Sequence, residues 1–217
     1  MAERSHNVNL SAEYAWKNYN LSASVSYNDI TDRIISTAPQ QGSMGEYYIQ
    51  YMNLPSAQVL GIDLLAQARW ALGGGHSLKA RANYVFTREW LSQGGMTPYC
   101  PARPHSFNLR LDWDKQWTSF YGTTVSVLGR VLSSVDYETM QMDYPFATRH
   151  VHNPAYTIWK LQLQSRLGKA VSLNISLDNV FNYAPEVYYF NSPVTLGINL
   201  MAGISVDVER LWKNGKR

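Results

Sequence analysis

Hydrophobic and polar side chains alternate with a period of two along most of this sequence. Near its start, Val8, Leu10 and Ala12 alternate with Asn9 and Ser11. Successive side chains of a β-strand point to opposite faces, so strict alternation over about ten residues predicts strands and disfavours helices. The pattern therefore predicts an all-β chain.

Nine segments carry this alternation and predict nine strands, at residues 7–16, 19–28, 47–70, 78–86, 106–113, 117–131, 159–164, 171–178 and 195–208. The sixth segment is the least regular, since Phe120 and Leu128 fall on its polar side. The lengths of the connections favour hairpins, so all neighbouring strands are expected to be antiparallel.

Short and long connections alternate along the chain. Short ones are predicted at 17–18, 72–76, 114–116 and 168–169, and long ones at 29–46, 89–103, 133–153 and 182–193. Bacterial outer-membrane barrels have this asymmetry, with short periplasmic turns and long extracellular loops. The connections therefore favour an up-and-down barrel wall over a soluble meander.

Alternation alone also fits a soluble β-sandwich, but strand length and side-chain placement favour a membrane. The segments run near the 9–11 residues that a tilted strand needs to cross the hydrocarbon layer. Aromatic residues sit at the ends of the apolar faces, as expected at membrane interfaces: Trp16, Tyr19, Trp70, Trp113 and Trp117 near the short turns, and Tyr27, Tyr84, Phe86 and Tyr156 near the long loops. Charged residues fall on the opposite face: Arg81, Arg110, Asp112, Lys160, Arg166 and Asp178.

Composition narrows the picture further. The formal charge of the 217 residues is only +3 and no basic stripe is visible, which argues against a nucleic-acid-binding protein. No apolar run approaches the length of a transmembrane helix. The opening residues have no apolar core and do not form a secretory signal, so an export signal is expected upstream if the protein lives outside the cytoplasm. Cys100 is the single cysteine, which excludes a disulfide within these residues.

Several short motifs, in order along the chain, resemble one family. They are Glu3-Arg4-Ser5-His6-Asn7 at a strand entry, Tyr51-Met52-Asn53 followed by Ala57-Gln58-Val59-Leu60-Gly61-Ile62-Asp63, then Pro104-His105-Ser106-Phe107-Asn108-Leu109, and Leu177-Asp178-Asn179-Val180-Phe181-Asn182-Tyr183. This set resembles the C-terminal half of TonB-dependent outer-membrane receptors.

The resemblance implies an antiparallel up-and-down transmembrane β-barrel of about 22 strands with a plugged lumen. Residues 1–217 are then expected to form the C-terminal portion of that barrel, with the plug domain and the remaining strands upstream. The implied function is uptake of a scarce nutrient, such as a ferric siderophore, haem, cobalamin or oligosaccharide. Implied partners are outer-membrane lipid, the plug and rest of the barrel, the TonB complex and the nutrient. Alternatives are a small complete porin or adhesin barrel, and a soluble β-sandwich binding module.

The loop at 133–153 holds the candidate ligand residues, which are Tyr137, Met140, Met142, Tyr144, His150 and His152. His-x-His and Met-x-Met are compatible with a soft or borderline metal such as copper, or with haem. The alternative is a surface loop whose methionines and aromatics pack on a ligand or on neighbouring loops. No resident metal or cofactor is predicted.

Charged residues of the polar face are candidates for contact with the plug or a passing ligand: Asp63, Lys79, Arg81, Arg110 and Asp112. Solvated lumen lining is the alternative role for them. Cys100, beside Tyr99 in a long loop, is a metal ligand, a partner for an upstream cysteine, or incidental.

No enzyme is predicted. His105 and Ser106 are adjacent on one strand and point to opposite faces, which separates a nucleophile from its base. No nucleophile-elbow, phosphate-loop or zinc-ligand spacing occurs in the sequence.

Overall fold

The computed structural model describes residues 2–36, 40–91, 103–140, 148–168, 170–184 and 197–209. Its strands are β1 Arg4–Trp16, β2 Tyr19–Ser36, β3 Gln40–Gln41, β4 Tyr47–Tyr48, β5 Tyr51–Gly73, β6 His76–Leu91, β7 His105–Gln116, β8 Tyr121–Leu132, β9 Val135–Met140, β10 Thr148–Asn153, β11 Tyr156–Leu167, β12 Val171–Asp178 and β13 Asn199–Val206. Within these residues, no helix is long and apolar enough to span a membrane.

Nine strands form one antiparallel sheet in the order β1-β2-β5-β6-β7-β8-β11-β12-β13. Each strand lies beside its sequence neighbour once two small hairpins, β3–β4 and β9–β10, are set aside. The prediction of nine antiparallel up-and-down strands is therefore confirmed. Within the described ranges β1 and β13 each pair on one side, so the sheet has two open edges.

Cross-strand register continues one apolar face across the whole sheet. One row runs through Leu111, Val127 and Leu161 and on to Leu177 and Leu200. No second layer of described residues covers this apolar face, since Leu10 is 74%, Leu200 69% and Ile204 70% exposed. Such exposure is incompatible with the core of a soluble sandwich and fits a surface that meets lipid.

Two of the predicted connections are wrong in position. The turn expected at 114–116 lies at residues 117–120, because β7 continues to Gln116. There the Thr118 hydroxyl accepts hydrogen bonds from the backbone N–H groups of Phe120 (3.2 Å) and Tyr121 (2.9 Å). The long loop expected from residue 29 starts too early, because β2 continues to Ser36.

Extension of the strands on the long-loop side explains the second error. β5 has 23 residues, far more than the roughly 9–11 that cross a bilayer. Its outer part packs on β2 around Leu54, Ala57 and Ile30, which are 0%, 1% and 8% exposed. An ion pair from Arg33 to Glu89 joins β2 to β6 across β5. The ends of β2 and β5 on the long-loop side therefore enclose a small core of their own, beyond the part of the sheet long enough to cross a bilayer.

The loop expected at 133–153 contains regular structure, because β9 and β10 pair as a hairpin within it. Val135, Val151 and Asn153 are 5%, 8% and 6% exposed. Pairing and burial of one face therefore hold the base of this loop in a defined shape.

Aromatic residues cluster at the short-turn side of the apolar face. Trp16 stacks on Tyr19 with centroids 5.9 Å apart, and Tyr19 meets Trp70 edge-on at 6.0 Å. The indole N–H of Trp70 donates to the Tyr19 hydroxyl at 3.2 Å, and Lys17 lies 4.7 Å from the Trp16 ring. Amphipathic rings with a polar tip suit the level of the lipid headgroups.

The apolar face carries charge near its long-loop end. Arg88 faces Leu60 in the register and lies 5.1 Å from the ring of Trp90. At this level a guanidinium can reach the headgroup region while its stem stays on apolar surface.

Gly129 provides the clearest packing constraint within the sheet. A Cβ added there would lie 2.6 Å from the ring of Trp159, its cross-strand partner on β11. We expect Gly129→Ala to lower the free energy of unfolding by about 1–3 kcal/mol, because the indole must leave its position. Gly203→Ala is the matched control, since nothing lies within 4 Å of its added Cβ. If denaturant unfolding showed the same loss of unfolding free energy for both variants, the packing of Trp159 against Gly129 would not be the constraint.

Candidate functional site

The polar face of the sheet is a ladder of ion pairs and hydrogen bonds between neighbouring strands. Lys79 Nζ on β6 lies 2.8 Å from Asp114 Oδ2 on β7. Asp114 also accepts from the Thr124 hydroxyl of β8 at 2.6 Å and from that of Ser77 at 3.3 Å. One carboxylate thus links three adjacent strands.

Two further acidic residues complete the ladder. Arg110 Nε donates to both oxygens of Asp112, at 3.0 and 2.8 Å, and Asp112 accepts from the Ser126 hydroxyl. Lys160 Nζ lies 2.8 Å from Asp178 Oδ1. Lys79–Asp114 and Lys160–Asp178 join neighbouring strands, and such cross-strand pairs stabilise a sheet by roughly 0.2–1 kcal/mol each, whereas Arg110–Asp112 lies within β7. Their main consequence here is a polar surface with most side chains held in place.

All five residues predicted for the lumen lie on this face: Asp63, Lys79, Arg81, Arg110 and Asp112. Asp63 accepts a hydrogen bond from the amide of Asn83 at 3.0 Å. Lys79 lies beside Asp112 in the register but pairs with Asp114. That they contact a plug or a ligand remains a prediction.

Asp114 was not among the predicted residues, because the local pattern predicted a turn at 114–116. The signal was present, since Arg110, Asp112 and Asp114 keep the same spacing of two. A cluster of polar residues beside a tryptophan resembles a turn when only the local sequence is considered.

The β9–β10 hairpin holds the predicted ligand residues that the structure describes best. His150 lies opposite Glu138, and His152 opposite Asp136, so both histidines share the exposed face. His152 Nδ1 lies 2.8 Å from Asp136 Oδ1, with the two side chains 61% and 56% exposed. Among the side chains described, no three histidine, cysteine or acidic groups converge on one point that could hold a metal.

Other predicted loop residues are less informative. The backbones of Tyr137 and Met140 lie in β9, but their side chains are not described. Met142, Tyr144, Tyr99 and Cys100 lie outside the described residues.

A stack of one guanidinium and two tyrosine rings fastens the hairpin to the sheet. The Arg103 guanidinium lies 4.6 Å from the ring of Tyr156, which stacks on Tyr183 with centroids 4.5 Å apart. Arg103 also donates to the backbone carbonyls of Ser133 and Pro154, the residues that flank the hairpin. Arg103 was not among the predicted site residues, and Tyr183 was named only as the last residue of a family motif. No local pattern predicted their meeting, because the contacts join residues that are 27 to 53 positions apart in the sequence.

The residues considered for catalysis are not arranged for it. His105 points to the apolar face, where its Nδ1 is hydrogen-bonded to the Tyr84 hydroxyl at 2.8 Å. Ser106 lies on the polar face, opposite Val85. His105 instead packs against Phe86, with ring centroids 5.1 Å apart.

Comparison with known proteins identifies the family. Residues 1–180 match the family model described as "TonB dependent receptor-like, beta-barrel". No curated protein matches the chain.

Solved structures show the same fold. The FrpB iron transporter from Neisseria meningitidis (F3-3 variant) superposes with a TM-score of 0.64 at 16% identity, over 95% of this chain and 31% of that one. Copper transporter OprC gives 0.66 at 14% identity, over 94% and 31%. The siderophore receptor PirA from Acinetobacter baumannii gives 0.65 at 14% identity, over 94% and 32%. The chain therefore spans about a third of the length of each.

The sheet is antiparallel, has one apolar and one polar face, and carries aromatic residues at the short-turn end of its apolar face. The family model matches the first 180 residues of the chain. This chain belongs to the TonB-dependent receptor β-barrel family of the bacterial outer membrane.

Proposed function

We propose that this chain is the C-terminal wall of an outer-membrane receptor that takes up a scarce nutrient with energy from TonB. The observation that carries the proposal is the orientation of the sheet. Its aliphatic face is exposed and continuous, whereas its opposite face is a ladder of ion pairs and amides. A wall of this kind separates lipid from a polar lumen.

The complete barrel in this proposal has about 22 strands, of which these nine are one side. Among the residues that the structure describes, β1 and β13 each pair on one side only, which supports further strands in the barrel, because a bilayer does not tolerate unpaired backbone groups. A plug domain of the same receptor fills the lumen, and TonB exerts its force on that plug. The wall itself performs no catalysis.

The proposed ligand is a ferric siderophore, haem, cobalamin or an oligosaccharide. The names of the similar structures include an iron transporter, a copper transporter and a siderophore receptor, which supports a metal-bearing nutrient first. Contacts would come from the long-loop side, where the exposed face of β9–β10 presents His150 and His152.

Uptake of radiolabelled nutrients into cells that carry or lack the complete gene tests the proposal. We expect one nutrient of the four classes to enter only when both the receptor and TonB are present, because a plugged barrel needs energy to open. Entry of all small solutes regardless of TonB would contradict it and would favour a porin.

A further inference from the structure

A patch on the polar face has more positive charge than its neighbours neutralise. Four basic residues line one groove across β6, β7, β8 and β11, together with the amides of Asn83 and Asn108. The basic residues are Arg81, Arg110, Arg130 and Lys160. We call this groove the arginine patch.

Register and pairing show where the surplus lies. Arg81 on β6 stands directly opposite Arg110 on β7. Arg110 is paired with Asp112, and Lys160 with Asp178. In the parts of the chain that the structure describes, neither Arg81 nor Arg130 has an acidic partner. Like charges directly opposite destabilise a sheet, so a negative group bound beside Arg81 would stabilise this pair of strands.

Two aliphatic side chains interrupt the polar face within the same patch. Leu128 lies between Arg110 and Lys160 in the register, and Ile158 lies beside Arg130. Leu128 already broke the alternation of the sixth predicted strand. Apolar groups beside arginines are poorly suited to a hydrated ion and suit a packed polypeptide, where the guanidinium forks meet carboxylates.

We propose that the arginine patch docks an acidic segment of the polypeptide that fills the lumen, with carboxylates on Arg81 and Arg130 and an apolar side chain against Leu128 and Ile158. This inference rests on the proposed function, which places a plug in the lumen. It adds the location and chemistry of one contact: at least two carboxylates flanking an apolar residue. Asn83 and Asn108 supply amide donors and acceptors to the backbone of that segment.

Photo-crosslinking in the complete receptor tests which chain lies on the patch. With p-benzoylphenylalanine in place of Leu128, we expect a crosslink to a peptide outside residues 1–217 that contains Asp or Glu. The same probe at Leu163, on the apolar face, is the control and should give no such peptide. A crosslink from position 128 to a peptide without acidic residues would overturn the proposal.

Thermal unfolding of the complete receptor tests the charges. Arg81→Gln and Arg130→Gln should each lower the midpoint by about 1–2 °C, since each removes an ion pair with the docked segment from a receptor about three times the length of this chain. Arg166→Gln is the matched control. Arg166 lies on the same face without an acidic partner in the described chain, but it is exposed one residue from the end of β11. Equal midpoints for all three variants would overturn the proposal.

Inorganic phosphate distinguishes a small anion from a docked segment. If phosphate raised the midpoint of the unmodified receptor and Arg81→Gln abolished that rise, the occupant would be a free oxyanion and the proposal would fail. No response to phosphate, with lower midpoints in the two variants, supports it. TonB-dependent uptake is measured separately, so failure of the docking contact and failure of the receptor function are distinguishable.

Discussion

Replacing Leu161 with arginine is expected to lower the free energy of unfolding in a bilayer by about 2–4 kcal/mol, because a cation near the midplane loses its hydration. Leu161 lies on the apolar face, 41% exposed, in the row that joins Val127 to Leu177. The exposure arises because the described chain places no second layer over this face. In the proposed barrel that space is filled by acyl chains.

The adjacent residue provides the control. Gln162 lies on the polar face, opposite Ser126 and Ser176, so Gln162→Arg puts the same charge on the same strand in a polar environment. We expect a loss below about 1 kcal/mol for it. Urea unfolding of the complete receptor in phospholipid vesicles measures both. Similar losses for the two variants, or a larger loss for Gln162→Arg, would show that the faces have been assigned in reverse.

Replacing Asn179 with alanine is expected to cost about 1–3 kcal/mol, because two buried hydrogen-bonding groups lose their partner. Asn179 is 5% exposed, and its amide donates to the Tyr183 carbonyl at 2.8 Å. Its Oδ1 accepts from the Tyr183 N–H, also at 2.8 Å. These bonds hold Tyr183 against Tyr156, so the variant should also loosen the stack that fastens the β9–β10 hairpin.

The backbone conformation of Asn179 contributes separately to the stability loss of the alanine variant, and a glycine variant distinguishes this contribution from the lost hydrogen bonds. Asn179 has a φ of 51°, in the left-handed region that asparagine and glycine tolerate better than alanine. Asn179→Gly should therefore lose less stability than Asn179→Ala, while still lacking both hydrogen bonds. The unfolding free energies of the two variants measure the difference. An alanine variant as stable as the unmodified receptor would refute the role of the side chain.

Strand number and the division into two faces were predictable from the sequence. Segments such as 7–16 and 171–178 alternate without a break, and each lies within or matches a strand of the structure. Alternation is a local property, because it follows from the geometry of one extended chain. The four family motifs predicted a TonB-dependent receptor barrel, and the family match confirmed that prediction.

Strand ends were less predictable. β7 passes through Asp114 to Gln116 because Asp114 finds Lys79 and Thr124 on the neighbouring strands. β2 and β5 continue beyond the membrane band because Leu54 and Ala57 are buried between chain segments far apart in sequence. Polar residues that resemble a turn locally become strand residues when a cross-strand partner satisfies them.

The sequence by itself determined that this chain forms a sheet with one apolar and one polar face, because the alternation of side chains depends only on the geometry of each single strand. Only the tertiary structure decided which side chains meet on each side. Arg81 faces Arg110, and Arg103 reaches Tyr156, through a register set by the pairing of whole strands. Register depends on every residue of two strands at once, so no single segment of sequence contains it.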